Sequence, residues 1–232
     1  MKGRIQWTSW AVVLLSLSFA ACTAGLTGSV DGIVARADRS DPVRAAVADL
    51  LSVADQYFEP MLGSPLPAAE QERLIDEWTS FRYSTQGQSS MDLLRMAESM
   101  AGSSRSVGVS VPGADALYYE QPIVRGNVNA VAHMVELRFP CAFEDRRQVA
   151  AGLVARLEPM FVNAPNWNRI DLHDPAKNPV IGTTNFSTYL SMGMNGSSEF
   201  LYVTVDYYHD RQNHESMRGV RISVNAQSTR LE

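Results

Sequence analysis

The spacing of apolar residues changes once along this chain, and that change constrains the fold more than any other feature. Between residues 40 and 101 apolar residues recur every three or four positions, which is typical of one face of an α-helix. From residue 107 onwards they alternate with polar or small residues, as in Val135, Leu137 and Phe139, which is typical of a strand with one buried face. Helices followed by strands predict an α+β fold with a largely antiparallel sheet.

The helical part of the chain predicts three helices. The first has Ser40 as its N-cap and ends before Pro60. A connection rich in Pro and Gly follows at residues 61–67. The second helix covers residues 68–83 and the third covers residues 90–101.

The alternating part predicts a sheet with one covering helix. Asn195 and Gly196 separate two alternating runs, and this dipeptide is a favoured hairpin turn because both residues tolerate positive φ. A helix at residues 144–157 ends at Pro159 and covers the sheet. The predicted strands lie at residues 107–111, 117–124, 130–139, 186–194, 199–208 and 219–224.

The composition is that of an ordinary globular protein with a single folded domain. The chain has 232 residues, of which 45% are hydrophobic and 19% are charged, with 11 Pro and 15 Gly. These values exclude a disordered, collagen-like or polytopic membrane protein. The net charge is −5, so the chain lacks the basic excess that binding to nucleic acid requires, and we expect no such partner.

The N-terminus is typical of an exported chain. Lys2 and Arg4 precede an apolar run of about 12 residues at positions 10–21, which is too short to cross ~30 Å of hydrocarbon as a helix. The run therefore predicts a secretion signal. It ends in Phe19-Ala20-Ala21-Cys22, which resembles the lipobox of bacterial lipoprotein precursors.

The resemblance to a bacterial lipoprotein precursor implies that Cys22 is acylated and that membrane lipid anchors the chain. Thr23 after the cysteine implies the outer membrane, facing the periplasm, in a Gram-negative cell, and the outer face of the plasma membrane in a Gram-positive cell. The alternative is an ordinary cleaved signal peptide. The expected domains are a signal peptide at residues 1–21, a flexible tether at 22–39 and a single α+β domain at 40–232.

Cys141 and the histidines are the candidates for chemistry. Cys141 follows a predicted strand and precedes a predicted helix, where it could act as a nucleophile with His133 or His173 as its base. The alternative is a small buried thiol, which is the commoner situation. Two histidine loops contain carboxylates without a recognised ligand spacing, so we predict no metal and no cofactor; they are His209-Asp210 with His214, and Asp171 with His173 and Asp174.

A long segment at residues 158–184 has no clear periodicity and contains several Pro and Asn residues. Loops of this length in a compact domain are usually functional or disordered. Trp and Arg often anchor interfaces, so Phe161, Trp167, Arg169 and His173 are the candidate partner-binding residues. Equally, Trp167 could fold back onto the sheet as part of the core.

Two functions of different classes remain open. No nucleophile elbow, phosphate-binding loop, His-Glu-x-x-His or Ser-x-x-Lys motif occurs in the chain. The first hypothesis is therefore a lipid-anchored, non-enzymatic protein-binding module, for example an inhibitor or immunity-type protein against a secreted toxin or cell-wall hydrolase, or an accessory subunit of an envelope assembly. The alternative is a small envelope hydrolase, or a ligand-binding or metal-binding protein, that uses Cys141 or the histidine loops.

Overall fold

The computed structural model describes residues 30–79, 90–125, 128–164, 167–171, 184–190, 197–209 and 217–231. Its strands are β1 (Leu62–Pro65), β2 (Arg105–Val107), β3 (Asp115–Arg125), β4 (Val128–Pro140), β5 (Trp167–Asp171), β6 (Thr184–Leu190), β7 (Ser197–His209) and β8 (Met217–Leu231). Within the described residues they form one sheet of eight strands in the order β1-β2-β3-β4-β8-β7-β6-β5, and every pairing is antiparallel. The predicted α+β fold is confirmed.

The helices are α1 (30–36), α2 (Pro42–Ser52), α3 (Ala68–Thr79), α4 (Ser90–Ser103) and α5 (Arg146–Phe161). The first predicted helix is shorter than expected, because α2 ends at Ser52 and two short 3₁₀ turns follow it. Tyr57 and Phe58 between those turns have φ of 50° and 65°, a left-handed conformation that an α-helix cannot contain. No helix in the described part of the chain combines the length and apolarity needed to cross a membrane.

Asp41, and not Ser40, is the N-cap of α2. Its carboxylate accepts hydrogen bonds from the amides of Val43 and Arg44, at 2.9 and 3.3 Å. The same carboxylate accepts two bonds from Arg156 of α5, from Nη2 at 2.7 Å and Nε at 2.9 Å. These bonds from Arg156 hold the pKa of Asp41 below its usual range, and they fix α2 against α5.

The expected flexible tether at residues 22–39 is wrong for its described part. Residues 30–36 are helical, and Ile33 in that helix has 0% of its surface exposed. Arg36 donates from Nε to the carbonyl oxygen of Met160 at 3.1 Å, which joins α1 to the end of α5. The folded domain therefore begins about ten residues earlier than residue 40, and residues 22–29 lie outside the described residues.

The two faces of the sheet carry different layers of helix. On one face Val135, Leu137 and their strand neighbours pack with α1, α2 and α5 in the main apolar core. On the other face Leu117 and Tyr119 of β3 pack with α3 and α4 in a smaller apolar cluster. Because side chains alternate along a strand, the even-numbered residues of β4 belong to this second face.

Four segments differ from their predicted structure. The strand predicted at residues 107–111 is wrong beyond Val107, where β2 ends, because Val109 and Val111 pack against the main core without pairing in the sheet. β1 lies inside the expected connection at residues 61–67, and β5 lies inside the expected loop at 158–184. Both are short strands at the edges of the sheet, where pairing on one side leaves no strong apolar pattern. Helix α5 continues through Pro159 to Phe161, since Pro removes one hydrogen bond while Met160 and Phe161 remain buried in the core.

Candidate functional site

A cavity of about 220 Å³ lies between the α3–α4 pair and the second face of the sheet. The alternation of side chains places Tyr119 and Gln121 of β3 on this face, together with Met134 of β4. Helices α3 and α4 contribute the opposite wall. The lining residues are Glu77, Trp78, Met96, Met100, Tyr119, Gln121, Met134, Tyr207, Tyr208 and Arg221.

Two of the lining residues, Glu77 and Arg221, belong to a group of five paired ionisable side chains that we call the charge network: Glu77, Glu136, Arg138, Asp206 and Arg221. Arg138 joins α3 to the sheet, because its guanidinium lies 3.0 Å from Glu77 Oε1 and donates to Glu77 Oε2 at 3.1 Å. Its Nε donates to Glu136 Oε2 at 2.7 Å. Arg138 and Glu136 are 3% and 0% exposed, so these pairs are shielded from water and from salt.

Strand register explains the other half of the network. Arg221 of β8 lies directly across from Arg138 on one side and from Asp206 on the other. Its guanidinium pairs with both Asp206 oxygens and with Glu136, so Glu136 separates the two arginines, which would otherwise repel each other. The hydroxyl of Tyr119 also donates to Glu136.

The carboxylates of the network have different pKa shifts. Burial raises the pKa of Glu136, but the charges of Arg221 and Arg138 and the hydrogen bonds from Tyr119 and Arg138 outweigh it and lower the pKa to about 2. Burial dominates for Glu77 and Asp206, whose pKa values lie above the usual range despite their arginine partners. Glu136 is therefore firmly ionised, whereas the ionised forms of Glu77 and Asp206 are less strongly favoured.

The walls above the network are aromatic and thioether-rich. The rings of Trp78 and Tyr119 are in contact, with centroids 4.9 Å apart and planes inclined by 52°. Tyr208 lies beneath the guanidinium of Arg138, whose Cζ is 5.1 Å from the ring centroid. Met96 and Met100 lie one turn apart on α4 and, with Met134, supply the thioether part of the lining.

Two buried polar side chains on the same face have no hydrogen-bond partner among the described residues. They are Asn225, which is 1% exposed, and Ser223, which is 2% exposed. Asn225 is the cross-strand neighbour of Met134, and Ser223 is the neighbour of Glu136. An unpaired buried polar group lowers stability by about 1–3 kcal/mol. Ser223 and Asn225 therefore destabilise this face of the sheet.

The partner-binding residues expected from the sequence do not form an exposed site in the described part of the chain. Phe161 and Trp167 pack against each other, with ring centroids 5.0 Å apart, and both belong to the main core. The structure therefore places Trp167 in the core, which is the second of the two roles expected from the sequence. Arg169 lies in β5, with its side chain outside what is described, and His173 lies outside the described residues.

The catalytic pair of Cys141 and His133 is contradicted. Pro140, which precedes Cys141, lies seven positions after His133 in β4. At about 3.3 Å per residue this places Pro140 ~23 Å from His133. His133 stacks on Tyr57, at a centroid distance of 4.3 Å, and its Nδ1 lies 3.0 Å from the hydroxyl of Tyr118. Burial, followed by the charge of Asp145, raises the pKa of the Cys141 thiol, the opposite of an activated nucleophile.

The histidine loops give no described metal site. His209 ends β7, while Asp210 and His214 lie outside the described residues. Asp171 ends β5, and His173 and Asp174 likewise lie beyond what is described. Where the structure describes the chain, no three His, Cys, Asp or Glu side chains are grouped so that they could hold a metal ion.

The fold and the cavity together define an α+β protein with a pocket between a helical pair and a sheet, lined by Glu77 and Arg221 among aromatic and thioether side chains. Comparison of the chain with protein-family models, with curated proteins and with solved structures gave no match. The argument for function therefore depends on the chain's own residues.

Sequence reasoning missed the charge network, although a signal for it was present. Glu136 and Arg138 alternate with the apolar residues of β4, and Asp206 and Arg221 do the same in β7 and β8. Charged residues of both signs at matching positions in three neighbouring strands indicate cross-strand ion pairs. The pattern does not reveal that a pair of helices covers them.

Proposed function

We propose that the chain is a lipid-anchored, non-enzymatic binding protein of the cell envelope, with its ligand site in the cavity between the α3–α4 pair and the sheet. The observation that carries the proposal is the cavity itself, which is lined by the charged Glu77 and Arg221 and by aromatic and thioether side chains. Mostly apolar cavities with a few convergent polar groups are the usual form of a small-ligand site. Each charged member of the network is paired with an opposite charge, which suits binding better than proton transfer.

The anchor is proposed from the N-terminal sequence and fits the start of the folded domain. Acylation of Cys22 would attach the chain to lipid, and Ile33 is already part of the core. Eight residues from Cys22 to residue 30 span at most about 28 Å when fully extended. The domain would therefore be held close to the membrane surface, whichever ligand or partner it binds.

A protein partner, such as the secreted toxin or hydrolase expected for an inhibitor, is the second candidate. Helix α4 exposes Met91 and Leu94, which lie three residues apart and are 57% and 36% exposed. Exposed apolar residues on one helix face are a common feature of helix-mediated contacts. This surface supports the protein-binding form of the proposal independently of the cavity.

The cavity proposal is tested by native mass spectrometry of the full chain purified from membranes in a mild detergent. Met96→Trp would fill the cavity without removing a charge, and Leu94→Trp is the matched control on the exposed face of α4. We expect a small molecule to remain bound to the wild type and to L94W and to be lost from M96W. Equal occupancy of both variants, or no bound molecule in any, would contradict the cavity as a ligand site.

The anchor is tested in the same preparation by intact mass. A mass that begins at Cys22 and includes acyl chains, absent in Cys22→Ala, is the expected result. An unmodified mass would remove the anchor from the proposal.

The second candidate is tested by a pull-down with Met91→Gln and with Leu94→Gln. Loss of a partner from these variants alone would assign the interface to α4.

A further inference from the structure

The charge network contains more negative than positive groups. Three carboxylates, from Glu77, Glu136 and Asp206, share two guanidiniums, from Arg138 and Arg221. Arg73 also approaches Glu77, at 3.3 Å, but it is itself paired with Glu70, so the excess of one negative charge is unchanged. An uncompensated charge in a buried site is costly, and a bound cation would remove that cost.

The arginines of the network are poorly available to an anion. Arg138 is engaged by Glu77 and Glu136. Arg221 lines the cavity, but its Nε and Nη2 are paired with Asp206 and its Nη1 with Glu136. An anionic ligand would have to displace a carboxylate from one of them. Glu77 also lines the cavity, and its carboxylate has more acceptor positions than its arginine partners occupy.

The walls favour an organic cation over a metal ion. Aromatic faces attract ammonium groups, and recognition of quaternary ammonium by aromatic side chains is a recurrent use of this attraction. Four aromatic rings line the cavity, those of Trp78, Tyr119, Tyr207 and Tyr208, and the thioethers accept an apolar body. A volume of about 220 Å³ corresponds to about seven water molecules at liquid density, which is more than a bare ion needs and suits a small organic molecule.

We propose that the cavity binds a small organic cation of the alkylammonium class, with its nitrogen against Glu77 and the aromatic rings and its apolar part among the methionines. This inference rests on the proposed function, because it names the ligand class of the same cavity. The ammonium could belong to a free small molecule or to a lipid head group, which share this chemistry.

The test is calorimetric titration of the full chain with choline and with 3,3-dimethylbutan-1-ol, a neutral molecule of the same shape. A maltoside detergent is required, because zwitterionic detergents themselves contain ammonium. We expect choline to bind about tenfold more tightly than the neutral probe. Equal affinity, or tighter binding of the neutral probe, would overturn the assignment.

Variants locate the binding. Glu77→Gln should weaken choline binding about tenfold and leave the neutral probe unaffected, whereas Glu98→Gln on the exposed side of α4 should change neither. Trp78→Phe keeps an aromatic ring and should give a smaller loss, which provides a second test if E77Q does not fold. Choline binding that is insensitive to both Glu77 and Trp78 would overturn the proposal.

A short-chain phosphatidylcholine is titrated in parallel. Tighter binding than choline indicates a lipid head group, and weaker binding indicates a free ammonium compound. In either case Glu77→Gln must weaken the binding. The outcome is also separable from that of the proposed function. A neutral or anionic molecule lost only from M96W would contradict the organic cation while leaving the cavity as a ligand site. Absence of any cavity-dependent ligand, including choline, would contradict both.

Discussion

Arg138→Met should destabilise the protein through Glu77. Removing one partner of a buried ion pair typically costs about 3–5 kcal/mol, because the remaining charge is left uncompensated. Glu136 would keep Arg221 and the Tyr119 hydroxyl, while Glu77 would keep only Arg73 at 3.3 Å. The loss of pairing therefore affects mainly the carboxylate of Glu77, and we expect R138M to lower the free energy of unfolding by about 3 kcal/mol.

Urea unfolding followed by tryptophan fluorescence measures this loss. With a slope of about 2 kcal/mol per molar urea, the midpoint should fall by about 1.5 M. Arg39→Met is the matched control, because Arg39 pairs with Asp49 on the surface and both are about half exposed, so its loss should stay below about 1 kcal/mol. Adding Glu77→Gln to Arg138→Met should recover about 1–3 kcal/mol, since the orphaned charge is removed.

The pH dependence of R138M provides a further check on the reasoning. Burial already raises the pKa of Glu77, and loss of Arg138 should raise it further. A raised carboxyl pKa stabilises the protonated folded state, so the deficit of R138M relative to wild type should shrink as the pH falls and grow as it rises. An unchanged urea midpoint for R138M, or no recovery in the double variant, would refute the role assigned to Glu77.

Two further predictions concern other parts of the fold. Asp41→Ala removes the cap of α2 and the partner of Arg156, so it should lower the free energy of unfolding by about 2 kcal/mol in the same urea assay, whereas Asp49→Ala should have little effect. Cys141 in the folded chain should react with iodoacetamide at pH 7 about tenfold more slowly than in the urea-unfolded chain, because burial raises its thiol pKa; equal rates, read by peptide mass mapping, would contradict this.

Elements with one continuous buried face were predictable from the sequence. α3 and α4 begin at the residues where their periodicity begins, and β4 contains the alternating run at 130–139. The antiparallel pairing of β6 with β7 is confirmed, with Phe186 across from Val203. The turn predicted between these strands, at residues 195–196, lies outside the described residues.

The candidate site could not be predicted in the same way. Alternation in β4 shows that Glu136 and Arg138 point away from the main core, but it does not show whether water or another helix covers them. Whether a helix covers them depends on Glu77 of α3, which contacts Arg138 although the two residues are 61 positions apart in the sequence. Local periodicity carries no information about contacts at such separations, so the cavity emerged only from the tertiary structure.

The position of β8 has a consequence for how the chain can fold. It follows the other described strands in sequence, yet it lies in the middle of the sheet, between β4 and β7. A chain that emerges from its N-terminus first, from a ribosome or a translocation channel, presents the other seven described strands before β8, which joins β4 to β7. Until residues 217–231 emerge, β4 and β7 each have an unpaired edge that is open to aggregation and to chaperones. The emergence of residues 217–231 therefore determines when the sheet can be completed, and their removal would open the centre of the sheet and not its rim.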